Sequence, residues 1–236
     1  MYVPDHFALD HDHVRELLAG VGAADLVTAH DHGLAATFLP FAFDPDAGEH
    51  GSLIAHVARN NRQWLDPVIG DALVVVHGAQ HYVSPRWLPS LAEHGQVVPT
   101  WNYLTVHAYG ELVAHDDAEW TLAAVRRLTA RHETDYSPDD VPAEYLERQL
   151  RAIVGLEVRL TRVVAKAKMS QNKAPADVEG IIEGLAAQPD DAEATLTATW
   201  MREHSLPAAR RRAALLEDVR RRHGRPTRPD RTTPQG

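Results

Sequence analysis

Trp101-Asn102-Tyr103-Leu104-Thr105-Val106-His107-Ala108-Tyr109-Gly110 alternates residue by residue, the period of a β-strand. Trp101, Tyr103, Thr105, His107 and Tyr109 share one face, and Asn102, Leu104, Val106, Ala108 and Gly110 share the other. A strand with a small apolar face and an aromatic, hydrogen-bonding face suits a flat, polar-edged ligand or a subunit interface. Just upstream, Tyr82-Val83-Ser84-Pro85-Arg86-Trp87 adds a hydroxyl, an arginine and a second tryptophan.

Working outward, strand-like runs occupy Asp25–Ala29, Leu34–Phe43, Ser52–Val57 and Ala72–Val76, and Asp31-His32-Gly33 reads as a hairpin turn between the first two. Val14, Leu17, Leu18 and Val21 predict an amphipathic helix with Asp10 or Asp12 as cap, and Asn61–Leu65 a short one. Asp116 and Glu119 have capping-box spacing ahead of Trp120, Ala124 and Leu128, and Pro142 opens a further helix through Leu150. Period two returns from Ala152 to Val164, with Val154, Leu156, Val158 and Leu160 on one face; Lys166–Lys173 reads as a polar, irregular stretch, and Val178, Ile181, Ile182 and Leu185 as a helix. Short turns between the first strands favour antiparallel pairing. The expected fold is α+β, a small antiparallel barrel with peripheral helices. One domain is expected over residues 1–188, with an Ala/Arg-rich extension over 189–236, disordered after Gly224.

Composition excludes several chemistries. The 236 residues include no cysteine, which removes disulfides, thiolate metal sites and a cysteine nucleophile. No apolar run reaches the roughly 20 residues of a membrane helix and no signal peptide is visible, so a cytoplasmic protein is expected. Fifteen histidines, including Asp10-His11-Asp12-His13, show no metal-ligand spacing, and no P-loop, dinucleotide or nucleophile-elbow motif occurs. The net charge of −9 is uneven: residues 202–231 carry ten arginines against four acids, a net of +6, leaving −15 elsewhere. An acidic body would repel DNA, so the tail, helical over Pro207–His223, is the electrostatic candidate for DNA, an acidic partner, or the acidic body of the chain's own dimer.

Several motifs together resemble the PaiB family, described as FMN-binding negative transcriptional regulators, within the FMN-binding split barrels. They are Met1-Tyr2-Val3-Pro4-Asp5-His6-Phe7, Ala36-Thr37-Phe38-Leu39-Pro40-Phe41, His56-Val57-Ala58-Arg59-Asn60-Asn61, Tyr82–Pro85 with Trp87, Val98–Tyr103, His107, Tyr109-Gly110, Arg151–Gly155 and Lys166–Asn172. Arg86 and Leu88 depart from the pattern, and the last 45 or so residues look like an addition to it. The resemblance implies a split-barrel flavoprotein, a homodimer sharing its FMN sites, and either a negative transcriptional regulator or an FMN-dependent oxidoreductase of the flavin-reductase type. FMN needs cations or backbone N–H groups for its phosphate, apolar walls for its ring and polar groups for the ring edge. The residues expected around it are Thr37, Leu39, Pro40, His56, Arg59, Asn60, Ser84, Trp87, Trp101, Asn102, His107, Lys168, Ser170, Gln171 and Asn172. Each has a plainer reading, as core, cap or solvated loop.

Overall fold

The structure, a computed structural model, describes residues 1–20 and 22–222; Val21 and the segment after Arg222, including the end of the expected extension, lie outside the described residues. Helix α1 (His11–Gly20) starts where Asp10 Oδ1 accepts the His13 amide at 3.0 Å, which settles the cap on Asp10. Strands β1 (Ala23–His30) and β2 (Gly33–Pro40) form the expected hairpin, with His30 opposite Gly33 and Gly33 in the left-handed region at φ 119°. The single strand expected over Leu34–Phe43 is two: β2 ends at Pro40, which has no N–H to donate, and β3 (Ala42–Asp44) follows. Then come β4 (Ser52–Ala58), β5 (Ala72–Val83), α2 (Ser90–His94) and β6 (Thr100–His115). After these follow α3 (Ala118–Thr129), α4 (Ala143–Arg151), β7 (Ile153–Lys168), α5 (Pro175–Ala186), α6 (Ala192–Trp200) and α7 (Leu206–Arg222).

The strands form one sheet in the order β2-β1-β5-β6-β7-β4-β3. The pairs β1–β2, β1–β5, β3–β4, β4–β7 and β6–β7 are antiparallel. The chain divides into two compact units: Met1–Gln80 with Tyr103–Lys168, and His81–Asn102 with Met169 onward. In the first unit β2 comes against β4, so the sheet curls on itself as a split barrel around Leu26, Leu53, Ala55, Val74, Val106, Leu156 and Val158. Gln63, buried beyond the end of β4, stitches that closure: its amide nitrogen donates to Leu26 O at 3.1 Å and Thr28 Oγ1 at 3.0 Å. On the outer surface α3 buries Ala124 and Leu128 against Ala42 and Ile54. Its cap is Asp117, which accepts from Trp120 N at 2.7 Å, not the Asp116 that the spacing suggested. In the second unit the expected helix over Val178–Leu185 is α5, whose apolar residues are buried.

Strand β7 holds the main departure from the sequence reading. Val154, Leu156, Val158 and Leu160 do face the core, but Gly110 pairs with Leu160 while Tyr109 pairs with Arg162, leaving Thr161 as the extra residue of a bulge. One added residue reverses side-chain parity. Beyond it Val163, Ala165 and Ala167 point inward, and Arg162, Val164, Lys166 and Lys168 point outward. The stretch read as irregular from Lys166 is therefore strand through Lys168. Strand β5 also runs past the expected Val76, to Val83.

Gly110 makes the bulge fit: a Cβ there would stand 2.1 Å from the carbonyl oxygen of Arg159, a backbone atom that cannot swing aside. Gly110→Ala is expected to cost at least about 1–3 kcal/mol, the range of overpacked sites, read as a lower urea midpoint at unchanged slope.

Candidate functional site

In the first unit the bulge brings two kinds of side chain to one outer face. Directly opposed residues are Tyr103 and Lys168, Thr105 and Lys166, and Tyr109 and Arg162. The Arg162 guanidinium lies 3.7 Å above the Tyr109 ring centroid, and the Lys166 and Lys168 ammonium groups stand 5.6 and 5.9 Å from that of Tyr103. The N-terminal segment lies along the same edge: Ala8 bridges to Lys166, and Lys166 Nζ donates to Tyr2 O at 3.2 Å. Thr105 faces this side yet is buried, its hydroxyl donating to Val76 O at 3.1 Å. His107 stands among them, half-buried. Burial first, then the N-terminal ammonium and His77, hold its pKa below the ordinary 6.5. The face therefore combines three cations, tyrosine rings and an imidazole that is neutral near pH 7.

The other expected residues of this unit occupy different places. Thr37 donates its hydroxyl to Gln63 Oε1 and accepts from Asn61 Nδ2 at 3.2 Å, inside the network that closes the barrel. Leu39 is core, and Pro40 is exposed at the end of β2. Arg59 donates to Arg151 O at 2.7 Å, Ile153 O at 3.2 Å and Asp116 Oδ1 at 2.7 Å. The Asp116 contact raises the Arg59 pKa, and the same contact holds Asp116 below the usual carboxylate range. Asn60 is exposed in the turn after β4. His56 lies in a row across β4, β7 and β6 with Gly155 and His115. A Cβ on Gly155 would meet Trp120 at 2.3 Å, and Trp120 stacks on His115 with ring centroids 3.8 Å apart. His56 Nδ1 is buried without a hydrogen-bond partner, and burial lowers its pKa.

The second unit holds the remaining seven. Asn102 is fully buried: its Oδ1 accepts from Ser170 Oγ at 2.9 Å and its Nδ2 donates to Met201 Sδ at 3.3 Å. Ser170 sits in the left-handed region at φ 61°. Gln171 Oε1 accepts the Met169 amide at 2.9 Å, and exposed Asn172 accepts from Arg212 Nη1 through its carbonyl at 3.1 Å. A π-helical turn, Met201–Ser205, leads into α7 and lets Ser205 Oγ donate to Met169 O at 2.7 Å. Trp87 lies on α5, where a Cβ on Gly184 would stand 2.4 Å from its indole. Ser84 caps the short turn at Pro85–Trp87, accepting from Arg86 N. Trp101 is 49% exposed.

Tyr103, Tyr109 and Lys166 belong to the motifs that carry the family resemblance but not to the residues expected around FMN, and Arg162 belongs to neither. The alternation of β6 already put both tyrosines on the right face. Nothing short of the bulge placed the cations opposite them.

The family described as "Putative FMN-binding domain" matches residues 1–162, more than half of the chain. The chain belongs to this FMN-binding family. Its relatives include the Bacillus subtilis (strain 168) protein named protease synthase and sporulation protein PAI 2, 26% identical over 223 residues, covering 92% of this chain and 97% of that protein. An uncharacterized protein of Saccharomyces cerevisiae is 38% identical over 107 residues, covering 44% of this chain and 62% of its own length. Among solved structures, a conserved hypothetical protein of Mycobacterium tuberculosis superposes with a TM-score of 0.53 at 10% identity, covering 73% of this chain and 94% of that one, a likeness of fold alone. The FMN-binding family match ends at Arg162, at the bulge, so the outward lysines of β7 lie just past it.

His56 and His107 both titrate below 6.5 when folded, so the unfolded chain takes up protons first as the pH falls. Stability from keeping these imidazoles neutral is complete above the unfolded value and is lost as pH drops below it. Thermal midpoints should fall from about pH 7.5 to about pH 5.5, and less steeply in His56→Gln and His107→Gln. A wild-type slope in both variants would contradict the burial argument.

Proposed function

We propose that this protein binds FMN on the outer face of β6 and β7, with Lys166 and Lys168 taking the phosphate beside Tyr103, and His107, Tyr109 and Arg162 lining the ring farther along the strands. The observation that carries this reading is that three cations of β7 stand over two tyrosine rings of β6 in one unit, Arg162 over Tyr109 and Lys166 and Lys168 over Tyr103. A dianionic phosphate attached to a planar heterocycle asks for that pairing. Family membership supports flavin as the ligand class, and the FMN in the family's description favours FMN among the flavins. Bound FMN would supply an electron acceptor and donor; the chain's part is to hold it, to exclude water from one side of its ring and to offer neutral His107 at the ring edge. Arg59 stays in its contact with Asp116 in this proposal, and His56, with its unpartnered nitrogen, is the further polar group of the unit within the expected set.

In its biological role we read the protein as a PaiB-type negative transcriptional regulator acting as a homodimer, with residues 1–188 as the flavin-binding domain and 189–236 as an extension. The arginines of that extension offer DNA or an acidic partner a basic surface. The resemblance to the PaiB family supports both the role and the dimer. A second reading, an FMN-dependent oxidoreductase, is favoured by His107, a neutral imidazole able to hold or release a proton beside the cation–aromatic face. Reoxidisable bleaching of the flavin by NAD(P)H would favour the enzyme. Salt-sensitive retention of duplex DNA without such bleaching would favour the regulator.

Flavin binding is tested by titrating the flavin-free chain with FMN and following flavin fluorescence. Lys166→Glu/Lys168→Glu should weaken FMN at least about tenfold, since each charged hydrogen bond is worth about 1.5–3 kcal/mol. Riboflavin, which has no phosphate, should lose far less. Unchanged FMN affinity in the double variant would mean that the phosphate is held elsewhere.

A further inference from the structure

The first eight residues build one border of the cation–aromatic face. Strand β4 pairs with β7 only from Ile153 to Arg159, so it does not cover the edge of β7 farther on. The N-terminal segment comes to that edge: Ala8 bridges to Lys166, and Lys166 Nζ donates to Tyr2 O at 3.2 Å. Between these two ties the segment is a tight turn, with the Phe7 amide donating to Pro4 O at 2.8 Å and the Ala8 amide to Asp5 O at 3.2 Å. Phe7 is buried, and its turn packs on β7. Three rings surround the Lys166 ammonium, with centroids at 5.6 Å for Tyr103 and 6.0 Å for both Tyr2 and Phe7. The segment is therefore a strap, and both of its ties are made to Lys166.

We propose that this strap, with Tyr2 as its outermost ring, is the specificity determinant that admits a flavin mononucleotide and turns away a flavin dinucleotide. The inference rests on the FMN site read above, in which Lys166 and Lys168 hold the phosphate. FMN ends at that phosphate, a monoester carrying about two negative charges. In FAD the same phosphate continues into a second phosphate and an adenosine, so the ligand must pass beyond the lysines. Its way out across β7 is the edge that the strap occupies. A monoester needs no such exit. The Lys166 ammonium has three N–H donors, and the Tyr2 carbonyl takes one, so a terminal phosphate can be held with the strap in place. An adenosine passes there only if the Tyr2 carbonyl lets the ammonium go and its ring, 81% exposed above a tied backbone, swings aside. The strap thus discriminates by a clash and a broken contact set against the larger ligand, while its cost to the smaller one is slight.

Equilibrium dialysis of the full chain against FMN and against FAD tests it. The wild type should bind FMN at least about tenfold more tightly than FAD. Tyr2→Gly/Pro4→Gly loosens the strap and leaves buried Phe7 in place. It should narrow that ratio to about threefold or less, by tightening FAD and not by weakening FMN. Tyr2→Ala alone, at an unchanged thermal midpoint, should move the ratio the same way and guards against a double variant that fails to fold. A wild type that binds FAD as tightly as FMN overturns the determinant. So does a wild-type ratio in both variants, or a ratio that narrows only because FMN is lost. Whether the wild type binds FMN separates the two failures: a chain that binds neither flavin sinks the FMN reading and the determinant with it, and a chain that binds FMN with an unmoved ratio sinks the determinant alone.

Discussion

One unpaired residue governs the outer surface of the barrel. Because Thr161 has no register partner on β6, only a hydroxyl contact to the Tyr109 carbonyl at 3.3 Å, β7 turns over between Leu160 and Arg162, and its later residues present the opposite sides from its earlier ones. Before the bulge, Val154, Leu156 and Val158 complete the core; after it, Val163, Ala165 and Ala167 continue the core while Arg162, Lys166 and Lys168 emerge opposite Tyr109, Thr105 and Tyr103 of β6. Without the extra residue, three charges would face Leu104, Val106 and Ala108 in a dry interior, a cost of several kcal/mol for each unpaired ion. Gly110 permits the turn-over by leaving room for the Arg159 carbonyl. Thr161 Oγ1 finds Asp71 Oδ2 at 3.0 Å, so the displaced residue is itself satisfied.

Closure of the barrel rests on polar groups from a short motif. His56–Asn61 leaves β4 and turns at once: Arg59 ties the turn to the start of β7 and to Asp116, and Asn61 and Gln63 reach β1 and β2 through Thr28 and Thr37. These side chains satisfy backbone and hydroxyl groups where the sheet curls past its own edge, where unsatisfied groups would be costly. The motif that reads as a phosphate site thus has a structural occupation in the folded chain, and the cations of β7 provide the alternative.

Much of the fold was legible because periodicity reports burial directly. The β1–β2 hairpin, the two faces of β6, the core face of β7 up to Leu160 and the buried side of α5 all follow from period two or 3.6. What escaped were local breaks in a period. Pro40 splits one expected strand into two, Asp117 displaces Asp116 as the α3 cap, and Thr161 converts an apparent polar loop into strand. Each depends on a single hydrogen-bond register that composition does not reveal. The candidate site divided in the same way. His107, Lys166 and Lys168 were visible in polar or aromatic stretches of the sequence, whereas Arg162, and the placing of the β7 cations on the tyrosine face, became visible only with the bulge. Residues such as Asn102, Ser170 and Thr37, polar and therefore suspicious in sequence, satisfy one another or their neighbours inside their own units.

Hydrogen–deuterium exchange of the full chain with and without FMN tests the central claim most directly, because it maps where the flavin lands without disturbing the fold. Slowed exchange concentrated in Tyr103–Tyr109 and Arg162–Lys168 is the expected result. Saturating FMN that leaves both segments unchanged while protecting the His56–Asn61 turn would contradict it, and would return the phosphate to Arg59.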